Sequence, residues 1–431
     1  MNINTVISCS TCDAKTHCRI GMSNRVFQPL SFLCEGCGTA IEIDIKGMRG
    51  SGLRNAVEIE FDRDFLDQQD HYFIDLHLDF PIWSTSYVMG RTPYLVASQM
   101  VDKNKILING IPAVEVFRIR LDILNHFGER FNEVKQLLKL YPRSNKELFR
   151  KKAIEFLRED RSPSIAPEDI NLLLYTVLSR VTLAFLEQRT VEEVTSGYPQ
   201  IIMQLAQTRR NKFDEFYHYI KDTGFLDSLQ RDCLSLYGRI FEIELYLRPA
   251  IFLDFCTGQE GKKSSAKVSK LGFEHCKDMY KDLSEIVGRQ LALVAGLNNL
   301  IHRGDHNSFL ASKDGAALSS LDKFANKVLS EKLKYLDSCW YKIDDELLNT
   351  GIRNSIAHYT FEYDEGSQII TCYPNKEGLR QDTKIEITFL SFMRMILVQF
   401  REMHYLRHLI KSLFYYEYLV LKKQPQSECG S

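Results

Sequence analysis

Two groups of residues in this chain have the types and spacing that chemistry requires. The first is a set of four cysteines, Cys9-x2-Cys12 and Cys34-x2-Cys37. Thiolates two residues apart can aim both sulfurs at one ion, and two such knuckles on either side of a loop complete a tetrahedral set for Zn2+. Gly36 and Gly38 give the second knuckle the backbone freedom of a tight turn. The expectation is structural zinc held by Cys9, Cys12, Cys34 and Cys37 in a zinc-ribbon-like segment over residues 1–50. His17 and Cys18 lie between the knuckles, so a three-cysteine-plus-histidine set stays open. The loop's lysine and arginine side chains are Lys15, Arg19 and Arg25. A fold staple or a partner contact is therefore at least as well supported as a grip on RNA.

The second group is RNSIAHY, Arg353 to Tyr359. The preceding run, Asp344 to Thr350, carries good helix formers, and Leu348, Ile352 and Ile356 recur every four residues as an apolar helix stripe. With Ile352 at zero, Arg353, Ala357, Asn354 and His358 fall at about 100°, 140°, 200° and 240°, so all four share the outward face. Ala357 is small enough to let another helix or a phosphate backbone approach. An imidazole with a reference pKa of about 6.5 suits proton transfer, typically worth about 10^2 to 10^4 in rate. The Arg353 guanidinium can fork onto two phosphate oxygens and stabilise charge at phosphorus, with Asn354 orienting the phosphate or the ring. Arg353 and His358 lie about 140° apart on one helix, so they converge poorly within a single chain. A two-fold pairing can set one helix's arginine beside the other's histidine.

This segment resembles the Arg-x4-6-His signature of the HEPN superfamily, with Arg353 and His358 in the motif positions and Asn354 just after the arginine. HEPN proteins are helical bundles, many of them metal-independent ribonucleases that dimerise so that two motifs face each other. The resemblance implies an endoribonuclease acting on RNA at a composite homodimer cleft, with Arg353, Asn354 and His358 as catalytic residues and no catalytic cofactor. It also implies a role in prokaryotic defence or abortive infection, with a protein or phage-derived activator. The loose spacing also matches Arg120 to His126 and Arg401 to His408, without the adjacent asparagine. In HEPN toxins controlled by a nucleotidyltransferase, the modified tyrosine lies two residues after the histidine. Here that position is Thr360, and Tyr359 comes one residue early. The alternative function is a non-catalytic zinc-ribbon and helical-bundle adaptor that binds a protein or nucleic acid.

The elements that must position these groups follow from periodicity. The chain has 431 residues, 44% hydrophobic, enough to bury substantial cores in two or three domains. Its formal net charge of -1 excludes a generally basic nucleic-acid coat, so any RNA must be held by a local cleft. No basic-then-apolar leader and no apolar run of membrane-spanning length occurs, which predicts a cytoplasmic protein without membrane association. Its 11 cysteines should then be thiols or metal ligands.

IEIDI, at the end of the ribbon segment, and then AVEIEFDRDF and HYFIDLHLDF alternate as half-buried strands, and a β-rich unit is predicted over residues 51–112. His71 and His77 among Asp70, Asp75 and Asp79 read as the wet face of a sheet and not as a metal site. Residues 113–256 have helical periodicity punctuated by Pro142, Pro163 and Pro167. KELFRKK within it reads as a solvated helix face. Residues 257–272, rich in Gly, Ser and Lys, read as a loop or linker. GQEGKKSS there lacks the GxxxxGK[ST] pattern of a phosphate loop. The last domain, 273–423, should hold helices near 274–302, 317–336 and 342–358. A β-hairpin with a third possible strand at KIEITF follows, and a long helix over 390–421 closes the domain before the tail, 424–431. Aromatics of that helix, including Phe392, Phe400, Tyr405, Phe414 and Tyr415, are expected in the bundle core or a dimer contact. The fold class is thus α+β, mostly α: a zinc ribbon and small β-rich unit, a helical middle, and a HEPN-like bundle with an inserted β-hairpin.

Overall fold

The computed structural model describes residues 2–47, 51–60, 71–83, 86–101, 106–107, 110–159, 163–256, 266–311, 316–343, 349–374 and 383–422. The fold is α+β and mostly helical, with small sheets at the N-terminal end. Two compact units are each assembled from three stretches of chain. Unit 1 takes residues 1–126, 242–278 and 351–397, and unit 2 takes 127–241, 279–350 and 398–431.

Unit 1 begins with two hairpins, β1 (Asn2–Cys9) with β2 (Lys15–Gly21), and β3 (Phe27–Leu33) with β4 (Ala40–Lys46). β5 (Ser51–Arg54) extends the second, giving the order β3-β4-β5. β6 (Ala56–Ile59) and β7 (Tyr72–His77) flank the first as β6-β1-β2-β7, with β7 parallel to β2. The strands of the predicted β-rich unit thus share sheets with the ribbon strands. Period-two side-chain alternation explains β4: Ile41, Ile43 and Ile45 are buried while Glu42 and Asp44 sit half-buried on the other face. These isoleucines join Ile7, Ile20, Leu30, Phe32 and Leu76 in one core, each worth roughly 1.5–3 kcal/mol when fully buried.

The rest of unit 1 includes α1 (Pro93–Met100), the short pair β8 (Ile106–Leu107) and β9 (Ile111–Pro112), and α2 (Ala113–Glu129) up to His126. Val116, Phe117, Arg120, Leu121 and Leu124 form the buried stripe of α2.

Unit 2 is helical: α3 (Phe131–Leu140), α4 (Lys146–Leu157), α5 (Pro167–Thr182), α6 (Gln188–Thr208), α7 (Arg210–Asp222) and α8 (Phe225–Ile240). On α4, Arg150 pairs with Glu147 and Lys152 with Glu155, as a solvated face does. α9 (Glu244–Phe252) returns the chain to unit 1, and α10 (Phe273–Arg303) begins there. Where one helix is expected over 317–336, unit 2 has two short ones, α11 (Leu321–Ala325) and α12 (Leu329–Lys334).

α13 (Thr350–His358) follows in unit 1, with residues 344–348 of its predicted start outside the described residues. A three-stranded antiparallel sheet, β10 (Phe361–Asp364), β11 (Ile369–Cys372) and β12 (Ile385–Thr388), comes next, and so the third strand forms. α14 (Phe389–Tyr416) runs into a π-helical turn, Glu417–Leu421. Phe392, Phe400, Tyr405 and Phe414 are buried within the chain, which makes them core and removes them as a dimer surface. Most of the predicted linker, including GQEGKKSS, and the tail lie outside the described residues. Among the described residues no helix is long and apolar enough to cross a membrane.

Candidate functional site

Each cysteine knuckle is the tip of its own hairpin. The first turn joins β1 to β2 and the second joins β3 to β4, so the four sulfurs bring together the ends of two different sheets. The knuckles repeat one backbone pattern. Cys9 N–H donates to Ala14 O at 3.0 Å and Asp13 N–H to Cys9 O at 3.0 Å; Cys34 N–H donates to Thr39 O at 2.9 Å and Gly38 N–H to Cys34 O at 2.8 Å. The residue after the second cysteine is left-handed in both, Asp13 at φ 58° and Gly38 at φ 73°. Gly36 is needed for close approach, since a Cβ there would stand 3.0 Å from Ala14 Cβ and 3.2 Å from Cys12 Sγ.

The Sγ atoms of Cys9, Cys12, Cys34 and Cys37 all lie within 4.8 Å of one another, and Cys9–Cys37 and Cys12–Cys34 are each 3.7 Å apart. Zn–S bonds of about 2.3 Å in a tetrahedron require sulfur–sulfur edges of about 3.8 Å, so the cluster has the size of a metal centre. Thr11 N–H points to Cys9 Sγ at 3.5 Å, and Thr39 Oγ1 lies 3.1 Å from Cys37 Sγ. The Cys37 thiol is drawn down to about 6, by Thr39 first, while Cys12 and Cys34 are pushed up, so the cluster holds its protons unevenly. His17 and Cys18 are not part of the set. Both are buried in β2, and the His17 ring packs against Phe73 and Tyr87 at 5.2 and 5.1 Å.

The acidic and imidazole groups near β7 correct the sequence expectation of a wet face. Asp75, His77 and Asp79 are 2%, 3% and 2% exposed. Arg19 on β2 forks onto both Asp75 oxygens at 2.7 and 2.8 Å, and its guanidinium lies 5.2 Å from each of the Phe73 and Tyr87 ring centres. Arg248 on α9 holds Asp79 and Glu244, each at 2.9 Å. These are buried ion pairs, and among the described residues they form no metal site. Asp70 lies outside the described residues.

α13 carries the arginine and histidine as the helical projection requires. Ile352, Ser355 and Ile356 face inward, while Arg353, Asn354 and Ala357 are half-buried and His358 is exposed. The Ser355 hydroxyl donates back to Gly351 O at 2.9 Å. The helix ends in a Schellman turn: Thr360 N–H donates to Ser355 O at 2.9 Å with Tyr359 left-handed at φ 59°. Thr360 is then clamped to the end of β11, its hydroxyl donating to Tyr373 O at 2.8 Å and its carbonyl accepting from Tyr373 N–H at 2.9 Å. Tyr359 is 72% exposed, with Lys277 Nζ 5.4 Å from its ring centre. The hairpin thus fixes where the helix stops and where His358 stands.

The other matches to the loose motif differ. Arg120 is buried and paired with Asp254 at 2.7 Å, and Arg401 and His408 are both buried. His302 and Arg303 end α10 by tying down the chain after it, His302 Nε2 at 3.2 Å from Ser338 O and Arg303 paired with Asp337 at 2.8 Å. Sequence reasoning missed a cavity of about 560 Å³ in unit 1, bordered by Glu35, Phe73, Trp83, Lys267 and Asp364. Its walls come from distant stretches of chain, and no local pattern announces it. Compared with family models, curated proteins and solved structures, the chain matches none of them.

Proposed function

We propose that the protein is a metal-independent endoribonuclease of HEPN type, with Arg353, Asn354 and His358 as its catalytic residues. The observation that carries this reading is α13 itself, where an exposed imidazole and a half-buried guanidinium and amide share one side of a short helix with only alanine between them. His358 would exchange the proton of the RNA 2'-hydroxyl, and Arg353 would neutralise charge on the phosphorus oxygens. The two positions are separated by about 140° and about 7.5 Å of helix rise, so the site is completed by a second copy of the chain across a two-fold axis at Ala357. The Cys9, Cys12, Cys34 and Cys37 centre holds zinc that staples the two sheets of unit 1. A cytoplasmic RNA-cleaving effector in prokaryotic defence, released by a protein or phage-derived activator, is the role that fits this chemistry.

The test is incubation of the purified protein with RNA and with DNA of the same sequence. Cleavage should leave 2',3'-cyclic phosphate and 5'-hydroxyl ends, spare DNA and persist in chelator while the zinc is retained. His358→Ala should lower the rate about 10^2-fold or more, and Arg353→Lys, which keeps charge but loses the fork, should remove most activity. Cutting that persists in folded His358→Ala, or that requires added Mg2+, would replace this proposal with the non-catalytic adaptor.

A further inference from the structure

Unit 2 encloses basic and polar groups that neither site uses. α14 carries His404, Arg407, His408 and Lys411 at spacings of three and four, hence on one stripe. Arg407 is 1% exposed, and its guanidinium carbon lies 4.2 Å from the ring centre of Tyr175 on α5 and 5.0 Å from that of Tyr237 on α8. Lys411 Nζ is 5.3 Å from the Tyr175 ring centre. Tyr237 Oη and His404 Nδ1 are 2.7 Å apart, and His404 Nε2 faces His408 Nε2 at 3.2 Å. Asn171 on α5 accepts from the Tyr141 hydroxyl at 3.2 Å, and Gln230, one turn before Cys233, is buried on α8.

Neither charge nor hydrogen-bonding capacity balances here. Arginine stays protonated at any pH the folded chain meets. An unpaired buried ion is strongly destabilising, and ring faces offset only part of that cost. The titratable groups that act most on Arg407 are Tyr175, Tyr237 and Cys233, and burial pushes all three up, Cys233 to about 12, so they are neutral. Among the described residues, Arg407 Nε and Nη2, Asn171 Nδ2, Gln230 Nε2 and Oε1, and His408 Nδ1 make no hydrogen bond of good geometry, although the Tyr237 hydroxyl acts on Arg407 and the Tyr141 hydroxyl on Gln230. Four of these six atoms are N–H donors without acceptor capacity. Water would bring hydrogens of its own to a place already rich in donors, whereas an anion accepts from them all and cancels the guanidinium charge.

We propose that this cluster binds a small monovalent inorganic anion of the halide class, held by Arg407 with Asn171, Gln230 and His408 donating to it. The enclosing groups are buried on every element that contributes them, which favours a compact ion whose dehydration is cheaper than that of a multiply charged oxyanion. Lys411, partly buried on the same stripe, adds to the attraction.

Thermal unfolding of the full chain tests this at constant ionic strength, with gluconate replaced stepwise by chloride, by bromide or by phosphate. The parent midpoint should rise by about 4 °C or more with either halide and less with phosphate. In Arg407→Met, a swap of similar volume that removes the charge, the halide response should vanish while circular dichroism stays native. Crystals of the parent grown in bromide should give an anomalous peak beside the Arg407 guanidinium, which decides the matter should the variant fail to fold. A parent indifferent to halide, an equal response in Arg407→Met, a response to phosphate alone, or a bromide crystal with no anomalous peak at Arg407 overturns the proposal.

Discussion

Tyr359 stands where the backbone favours glycine. A side chain in the left-handed region costs roughly 1–2 kcal/mol, and a Schellman turn needs no ring at that position. Tyr359→Gly should therefore stabilise the protein by about 1 kcal/mol in urea unfolding, and an unchanged or lower midpoint would mean that the Lys277 contact or the clamp at Thr360 depends on the ring. The arginine and histidine nearby were legible in the sequence because a short helix makes facing a matter of counting. The ion pair of Arg19 and Asp75 was not legible. Alternation along β7 looks like that of a half-wet strand, and only the parallel pairing of β7 with β2 brings the arginine opposite Asp75. Removing one partner of such a pair leaves a buried charge. Asp75→Asn should cost about 3–5 kcal/mol, read as a drop in the unfolding midpoint.

At the scale of elements, the two hairpins are brought together at their cysteine cluster. Spacing alone picked out the four cysteines that cluster, because a knuckle is a local device in which each thiol pair is set by its own turn. That the pairs belong to different sheets was hidden, since sheet membership depends on partners far along the chain. A methyl at residue 36 crowds Ala14 and Cys12 Sγ. Overpacking of about 1.4 kcal/mol would weaken zinc roughly tenfold in Gly36→Ala. Competition with a chromophoric chelator measures this, and a variant that binds as tightly as the parent would show that the loop yields. Metal analysis of the parent should give about one zinc per chain, falling in Cys34→Ser. The aromatics of α14 were read correctly as apolar but left open between core and interface, because periodicity reports a buried face and not what buries it.

For the molecule as a whole, several histidines are held neutral by burial. Burial lowers His77 to about 4 and His408 to about 3 from an ordinary 6.5, and drives His404 well below that value. The unfolded chain takes up these protons near pH 6.5 while the folded chain refuses them until about pH 4. Between those limits the unfolded state binds more protons, so stability falls as pH drops through this window. His77 alone accounts for roughly 3 kcal/mol by that linkage. Amide exchange in α14 from Val398 onward, in the unit that holds none of the four clustered cysteines, should quicken between pH 7 and pH 5 after correction for its intrinsic pH dependence. Exchange that does not quicken would mean that the histidine pair is solvated. The sequence suggested contiguous domains because periodicity turns helical after residue 112 and composition changes at 257, whereas both compact units are discontinuous. Nothing local encodes which distant segments close a core.

That discontinuity bears on how the chain is made. At roughly 5–20 residues per second, a ribosome needs tens of seconds to travel from residue 126 to residue 351. During that interval the N-terminal sheets can close their hairpins and take up metal, but they lack the segment 351–397 that completes their unit. The motif on α13 emerges only then, and its clamp at Tyr373 later still. A nascent or prematurely terminated chain would thus carry both cysteine knuckles and no arginine–histidine helix. On the proposed function, RNA cleavage would be withheld from the polypeptide until the segment 351–397 has been made.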